Sequence, residues 1–250
     1  VLLGLDLIRQ LVTGNLQLSL LTGYVWNGIV YGLLIGLGAV GLSLTYDLLG
    51  FANFAHGDYI TTTAFIGWGV TWLIAGLGKF DIGSLFFLGI GGSVYPRAIG
   101  VSILGTPVAI FLGLLIATIT GGLVALTMDK FVYKSLREAG GITLLIASIG
   151  VAFILRYLVV FFFSQQSFGL TISAWSYPLQ VGGGSVNIGS PALLLIGVSA
   201  LSMIVIHLLL TRTKLGKAMR AMGDNRDLAM ITGIPAERII TFTWLIGGSL

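Results

Sequence analysis

The stretch FANFAHGDYI, residues 51–60, sets Asn53, His56 and Asp58 close together between two apolar runs. An imidazole beside a carboxylate has the ingredients of general acid–base chemistry, and the two could contribute ligands to a metal ion. The rest of the chain argues against both uses. There is no cysteine, which excludes thiolate catalysis, disulfides and cysteine-based metal sites. The only other histidine, His207, ends an apolar run beside Leu208, so no third or fourth metal ligand is identifiable. No H-E-x-x-H, no phosphate-cradling G-x-x-x-x-G-K-[ST] loop and no nucleophile cluster occurs. Two settings remain for Asn53, His56, Gly57 and Asp58: a loop tip in water, or a helix break held inside a membrane. Broken backbone at depth is tolerated only where protein or a water-filled cavity covers it, often beside a transport pathway.

Arg156 is the second chemically loaded residue, about two-thirds of the way along another apolar run. An arginine at that depth is costly and should snorkel outward or find a counter-charge. Asp58 is the first candidate partner and Asp47 the next.

The elements that must position these residues follow from composition. The chain is 56% hydrophobic and 9% charged, with 37 glycines and a mean hydropathy of +1.02. A soluble domain carries roughly 25% charged residues, and several charge-free runs here exceed the roughly 20 residues needed to cross a bilayer. The expected fold is an all-α, multi-span membrane bundle broken or re-entrant near 50–58. A β-barrel would alternate in polarity over segments of about ten residues. Spans are expected at about 22–49, 60–77, 106–128, 142–163 and 191–210, with another beginning near Ala236 and stopping part-way at Leu250. The Gly-broken stretch 82–94 reads as a short re-entrant or interfacial segment. Gly28, Gly32 and Gly36 share one helix face, a spacing that suits close helix packing within the chain or between subunits.

Lys130, Lys134 and Arg137 lie in one loop, and Arg212, Lys214, Lys217, Arg220, Arg226 and Arg238 in another two spans later. Both are therefore placed on the cytoplasmic side. The net charge of +4 does not point to nucleic acid, because these basic residues sit in short loops beside apolar spans. The intervening segment 164–190 is uncharged, carries Trp175, Tyr177 and a Gly182-Gly183-Gly184 run, and reads as an outer loop on the membrane interface.

The second basic loop includes LGKAMRAMGDNRDLAMITGIPAER, residues 215–238. Asp224 is expected to cap a helix of about two turns, with Asp227 in its first turn, Gly233 as its stop and Pro235 opening the next helix. Such a helix is too short to stand alone. It offers Leu228 and Ile231 on one face among Arg220, Arg226 and Arg238, and so needs either a protein groove or lipid headgroups to lie against.

Asp227-Leu228-Ala229 followed three residues later by Gly233 resembles the acidic-Ala-Ala-xxx-Gly loop of bacterial ABC importer permeases. The wider GKAMRAMGDNRDLAMITGIPAERIITFTWLIGG is similar to branched-chain amino acid permeases of the LivH/LivM kind. NFAHGDY and VYKSLREAGGITLLIASIGVAFIL resemble two further landmarks of the LivH-type subunit, in the same order along the chain. Ser135 stands where the family commonly has proline, and Arg156 where a polar uncharged residue is more usual.

The resemblance implies a single transmembrane permease domain over 1–250, incomplete at its C-terminus, with a coupling loop at 211–238. That loop would engage cytoplasmic ATPases through Gly216, Arg220, Ala221, Asp224, Asp227, Leu228, Ala229, Ile231 and Gly233. It implies transport without covalent chemistry, in the cytoplasmic membrane of a prokaryote, with ATP and Mg²⁺ bound by two partner ATPase subunits. A LivM-type subunit or a second copy would complete the pathway, and an external solute-binding protein would deliver substrate. Branched-chain or related amino acids are the expected cargo, with urea or short amides as the alternative. Two other classes stay in view: an ion-coupled secondary transporter using His56, Asp58 and Arg156 as a relay, and a membrane enzyme using His56 and Asp58.

Overall fold

The computed structural model describes residues 17–77, 100–163, 165, 167–172, 175–181 and 184–250, with positions 4, 6, 9, 10, 13 and 14 besides. The stretch 82–94, read as re-entrant, and Gly182 and Gly183 lie outside the described residues.

Helix α1, Leu18–Leu49, ends at Gly50, whose φ of 70° places it in the left-handed region that glycine adopts without a Cβ clash. Helix α2 spans His56–Ala75 and α3 spans Pro107–Met128, with Pro107 in the first turn where its missing N–H costs nothing. A π-turn, Asp129–Tyr133, continues α3 and passes through short helical turns to Ala139. Helix α4 is Gly141–Phe163. Strands β1, Ser176–Val181, and β2, Gly184–Gly189, pair antiparallel as a β-hairpin within the uncharged segment 164–190, which the sequence marks only as a loop. Helices α5, Ser190–Arg212, α6, Lys214–Asp224, α7, Arg226–Ile231, and α8, Ala236–Ser249, complete the chain.

Four of the described helical segments are long and apolar enough to cross a membrane: Leu18–Leu49, Pro107–Ala139, Gly141–Phe163 and Ser190–Arg212. The fifth expected span, near 60–77, is α2. It begins four residues earlier than expected, at His56, and does not reach that standard of apolarity. Its position explains this, because α2 packs on α3 and α4, and its polar first turn is shielded by protein.

Small residues set the crossings. A Cβ on Gly113 would lie 2.7 Å from the Gly67 carbonyl and would overlap Thr71, so α2 and α3 touch backbone to backbone. A Cβ on Gly121 would overlap the Gly248 carbonyl, and one on Gly41 would lie 2.9 Å from the Gly247 carbonyl, bringing α8 onto α3 and α1. The glycines singled out by their spacing behave differently. Nothing lies within 4 Å of a Cβ at Gly28 or Gly32, and only the Met203 side chain, at 3.1 Å, meets one at Gly36. Among the described residues, Gly36 packs against Met203 of α5, whereas Gly28 and Gly32 make no close contact within the chain.

Among the described residues, most buried apolar side chains fall into two clusters. One, at the end that carries the basic loops, gathers Phe51, Ala55, Tyr59, Tyr133, Met219, Met222, Ala229, Ile240 and Trp244. The other, towards the hairpin, holds Trp68, Trp72, Ile110, Val159 and Phe163.

Candidate functional site

Two regions carry the residues marked out by the sequence. The first is the break between α1 and α2. After Gly50 the chain turns back into the protein: Phe51, Asn53, Ala55, His56 and Asp58 are all buried. The Phe54 amide donates to Ser148 Oγ at 3.1 Å, roughly 10 Å along α4 from its start at Gly141. His56 Nε2 lies 2.9 Å from the Gly38 carbonyl. A carbonyl only accepts, so Nε2 carries the proton and donates. The break is thus enclosed by protein and is not a loop tip in water.

Asn53 organises the turn. Its Oδ1 accepts from the Ala55 amide at 3.1 Å, the side-chain-to-backbone bond that makes asparagine a turn residue, and from Tyr133 Oη at 3.3 Å. Tyr133 Oη lies 3.1 Å from Tyr59 Oη, and its ring stacks on Trp244 with centroids 5.1 Å apart and planes 1° from parallel. Asn53 Nδ2 and Trp244 Nε1 are buried without a hydrogen-bond partner among the described residues. Gly57, by contrast, is exposed and open.

Asp58 sits in the first turn of α2, where a carboxylate complements the helix dipole. Arg156 Nε donates to its Oδ1 at 3.1 Å and Nη2 to its Oδ2 at 3.5 Å. The pair expected from charge accounting is present, and Asp47, the second candidate, is exposed and takes no part. The partners are unequal: the Asp58 side chain is 9% exposed and that of Arg156 is 62% exposed.

The second region is the α5–α8 turn. Helix α6 runs through Asp224, which is therefore its last residue and not a cap. The cap of α7 is Asn225, in extended backbone, with Oδ1 accepting from the Leu228 amide at 2.9 Å. Helix α7 has only six residues, fewer than the two turns expected. Gly233, at φ 88°, follows its end, and Pro235 precedes α8 as its N-cap instead of opening its first turn.

Leu228 and Ile231 are 59% and 83% exposed, whereas Ala229 is 4% exposed and belongs to the same buried apolar cluster as Met222 and Ile239. The expectation that Ala229 enters a partner's groove fails on that burial; its small side chain fits α7 onto the body of the protein. Arg220, Asp224, Arg226, Asp227, Gly233 and Arg238 are exposed, and Ala221 is half-buried. Gly216 is buried where α6 folds back on α5, and a Cβ there would overlap the Leu209 carbonyl.

Between the regions lies an ion cluster that sequence reasoning missed. Arg137 Nη2 donates to both carboxylate oxygens of Asp129 at 2.7 Å, and its Nη1 donates to Glu237 at 2.9 Å. Lys134 adds a second bond to Glu237 at 3.1 Å. Asp129 and Arg137 are largely enclosed, with side chains 10% and 13% exposed. An acidic residue directly after a long apolar run was the available signal for Asp129.

Residues 24–250 match the sequence profile of the branched-chain amino acid transport system / permease component family. The chain belongs to that family. It is 25% identical over 229 residues to the high-affinity branched-chain amino acid transport system permease protein LivH of Salmonella typhimurium strain LT2, covering 90% of this chain and 66% of that protein. It is 27% identical to the corresponding permease protein BraD of Pseudomonas aeruginosa, with the same coverage. A probable LivH of Methanocaldococcus jannaschii is 27% identical over 239 residues, with 62% of its length covered. The permease thus spans about two-thirds of the length of these curated relatives. No solved structure is significantly similar to it.

Proposed function

We propose that the permease is the membrane subunit of an ATP-driven importer of branched-chain or related small amino acids, operating by alternating access. ATP and Mg²⁺ belong to two separate cytoplasmic ATPase subunits, a LivM-type subunit or second copy completes the pathway, and an external binding protein delivers solute. The assembly works in the cytoplasmic membrane of a prokaryote.

The observation that carries this reading is the form of α7. A capped, six-residue helix holds exposed Leu228 and Ile231 away from the body while Ala229 fixes it underneath. A helix that short gains its stability by docking. Its fixed side leads inward through contacts that require no loose loop. Ala229 joins a core with Met222 and Ile240, Trp244 of α8 stacks on Tyr133, and Tyr133 bonds Asn53 at the break. A displacement of α7 by nucleotide-driven closure of the ATPases would thus reach the α1–α2 break through packed side chains. ATP acts here as a ligand with different affinity for two states of the assembly.

The test is purification of the permease under mild conditions, followed by uptake in proteoliposomes. An ATPase subunit should accompany it, and uptake should require ATP inside and persist when the proton gradient is dissipated. Uptake that needs the gradient and no ATPase contradicts the importer reading.

A further inference from the structure

Arg156 combines burial of its partner with exposure of itself, and that asymmetry has a chemical meaning. Two of its five N–H groups bind Asp58, through Nε and Nη2. Both N–H groups of Nη1 and the second on Nη2 make no hydrogen bond among the described residues, and the side chain is 62% exposed. Arg156 lies roughly 10 Å along α4 from its outer end at Phe163. A charged head at that depth favours a further polar or anionic contact on its open edge. Around it the surface is apolar and aromatic: Phe153, one turn earlier, is 51% exposed, and Tyr157 is 64% exposed.

We infer that the open edge of the Arg156 guanidinium is a binding site for the carboxylate of the transported solute, with Asp58 as the positioning residue that holds it. Guanidinium matches carboxylate in a planar, two-bond geometry. Asp58 neutralises the arginine when the site is vacant, and its enclosure keeps it from competing for the ligand or binding the ammonium end. Phe153 and Tyr157 offer apolar surface to a branched or aromatic side chain. The substrate class is therefore a small carboxylate-bearing solute, not urea or a neutral amide. This rests on the importer reading but concerns recognition alone.

The test uses ligand binding to the purified permease complex without its binding protein, read by saturation-transfer NMR. The probes are L-leucine, 4-methylpentanoate and 4-methylpentanamide; the last two differ only in carboxylate against amide. The wild type should bind the carboxylate at least about tenfold more tightly than the amide, as expected for a charge-assisted pair. Arg156→Gln strands Asp58 and risks misfolding, so the deciding variant is Asp58→Asn with Arg156→Gln, which removes both charges. It should assemble normally and bind the two probes equally, while Arg156→Lys keeps part of the preference. An absent preference in the wild type, or an intact one in the double variant, overturns the site and leaves Arg156 as counter-ion to Asp58 or a lipid phosphate. Loss of ATP-dependence in uptake would instead strike the importer reading, because these binding measurements contain no ATP.

Discussion

The α1–α2 break and the α6–α7 turn are both short interruptions between helices, yet they treat polarity in opposite ways. At the break, Asn53, His56 and Asp58 are enclosed, and each makes at least one polar contact with another part of the chain: Asn53 Oδ1 with Tyr133, His56 Nε2 with Gly38 and Asp58 with Arg156. At the α6–α7 turn, polar Asn225 caps its own helix and the apolar residues Leu228 and Ile231 are the ones left unused. Inside a membrane protein an unpaired polar group costs more than an exposed apolar one, so the first region must be self-sufficient. In a water-facing turn the cost reverses, and exposed apolar side chains mark a surface that awaits contact. Substitutions in the first region should therefore act on folding, and those in the second on partnership.

The largest expected effect lies at the ion cluster joining the two. Arg137→Ala strands the enclosed Asp129 carboxylate, and removing one partner of a buried pair typically costs about 3–5 kcal/mol. Lys134→Ala, on the exposed side of the same cluster, should cost about 1 kcal/mol or less. Unfolding in mixed detergent micelles measures both, and equal losses would show that the cluster acts as a surface network throughout.

Asn53→Ala comes next. It removes the acceptor shared by the Ala55 amide and Tyr133 Oη, leaving buried donors unpaired, for an expected loss of about 2 kcal/mol. Stability unchanged in the same assay would mean that water reaches the break and satisfies those donors.

How far these regions could be read in advance depended on the distance over which each residue's partner lies. The polarity of 51–60 was evident, and so was the need of Arg156 either to snorkel outward or to find a counter-charge, because a charge within an apolar run has few possible answers. The start of α2 was placed at Ile60 because apolarity resumes there, whereas the helix starts at His56 since protein shields its polar first turn. Tyr133 and Trp244 carried no signal: their stack joins residues far apart in sequence. The spacing of Gly28, Gly32 and Gly36 marked a face but could not say what occupies it, and the tight crossings fell at Gly113, Gly121 and Gly41 instead. Asp224 and Asn225 are both good caps, and only the backbone, extended at Asn225, decides between neighbours.

Asn225→Ala is the smaller, local counterpart of the break substitution. Loss of a side-chain cap costs about 1 kcal/mol. On a six-residue helix that loss should appear as faster amide hydrogen exchange confined to α7 and its flanks, with global unfolding little changed. Exchange spreading into α1 and α2 would mean that the two regions form one cooperative unit.

The smallest effect on stability should accompany the greatest loss of partnership. Leu228 and Ile231 rest mainly in solvent, so Leu228→Ser with Ile231→Ser should leave unfolding within about 0.5 kcal/mol of wild type. The same pair of changes removes the apolar anchors by which a short helix enters a groove, and anchor residues dominate such contacts. On the proposed importer reading, recovery of an ATPase with the purified protein should therefore fall at least tenfold, while the proposed carboxylate binding at Arg156 stays as it was. A marked loss of stability in the double variant would show that these side chains support the fold. Undiminished recovery would place ATPase docking elsewhere on the cytoplasmic surface, because α7 would then have lost its apolar face without consequence.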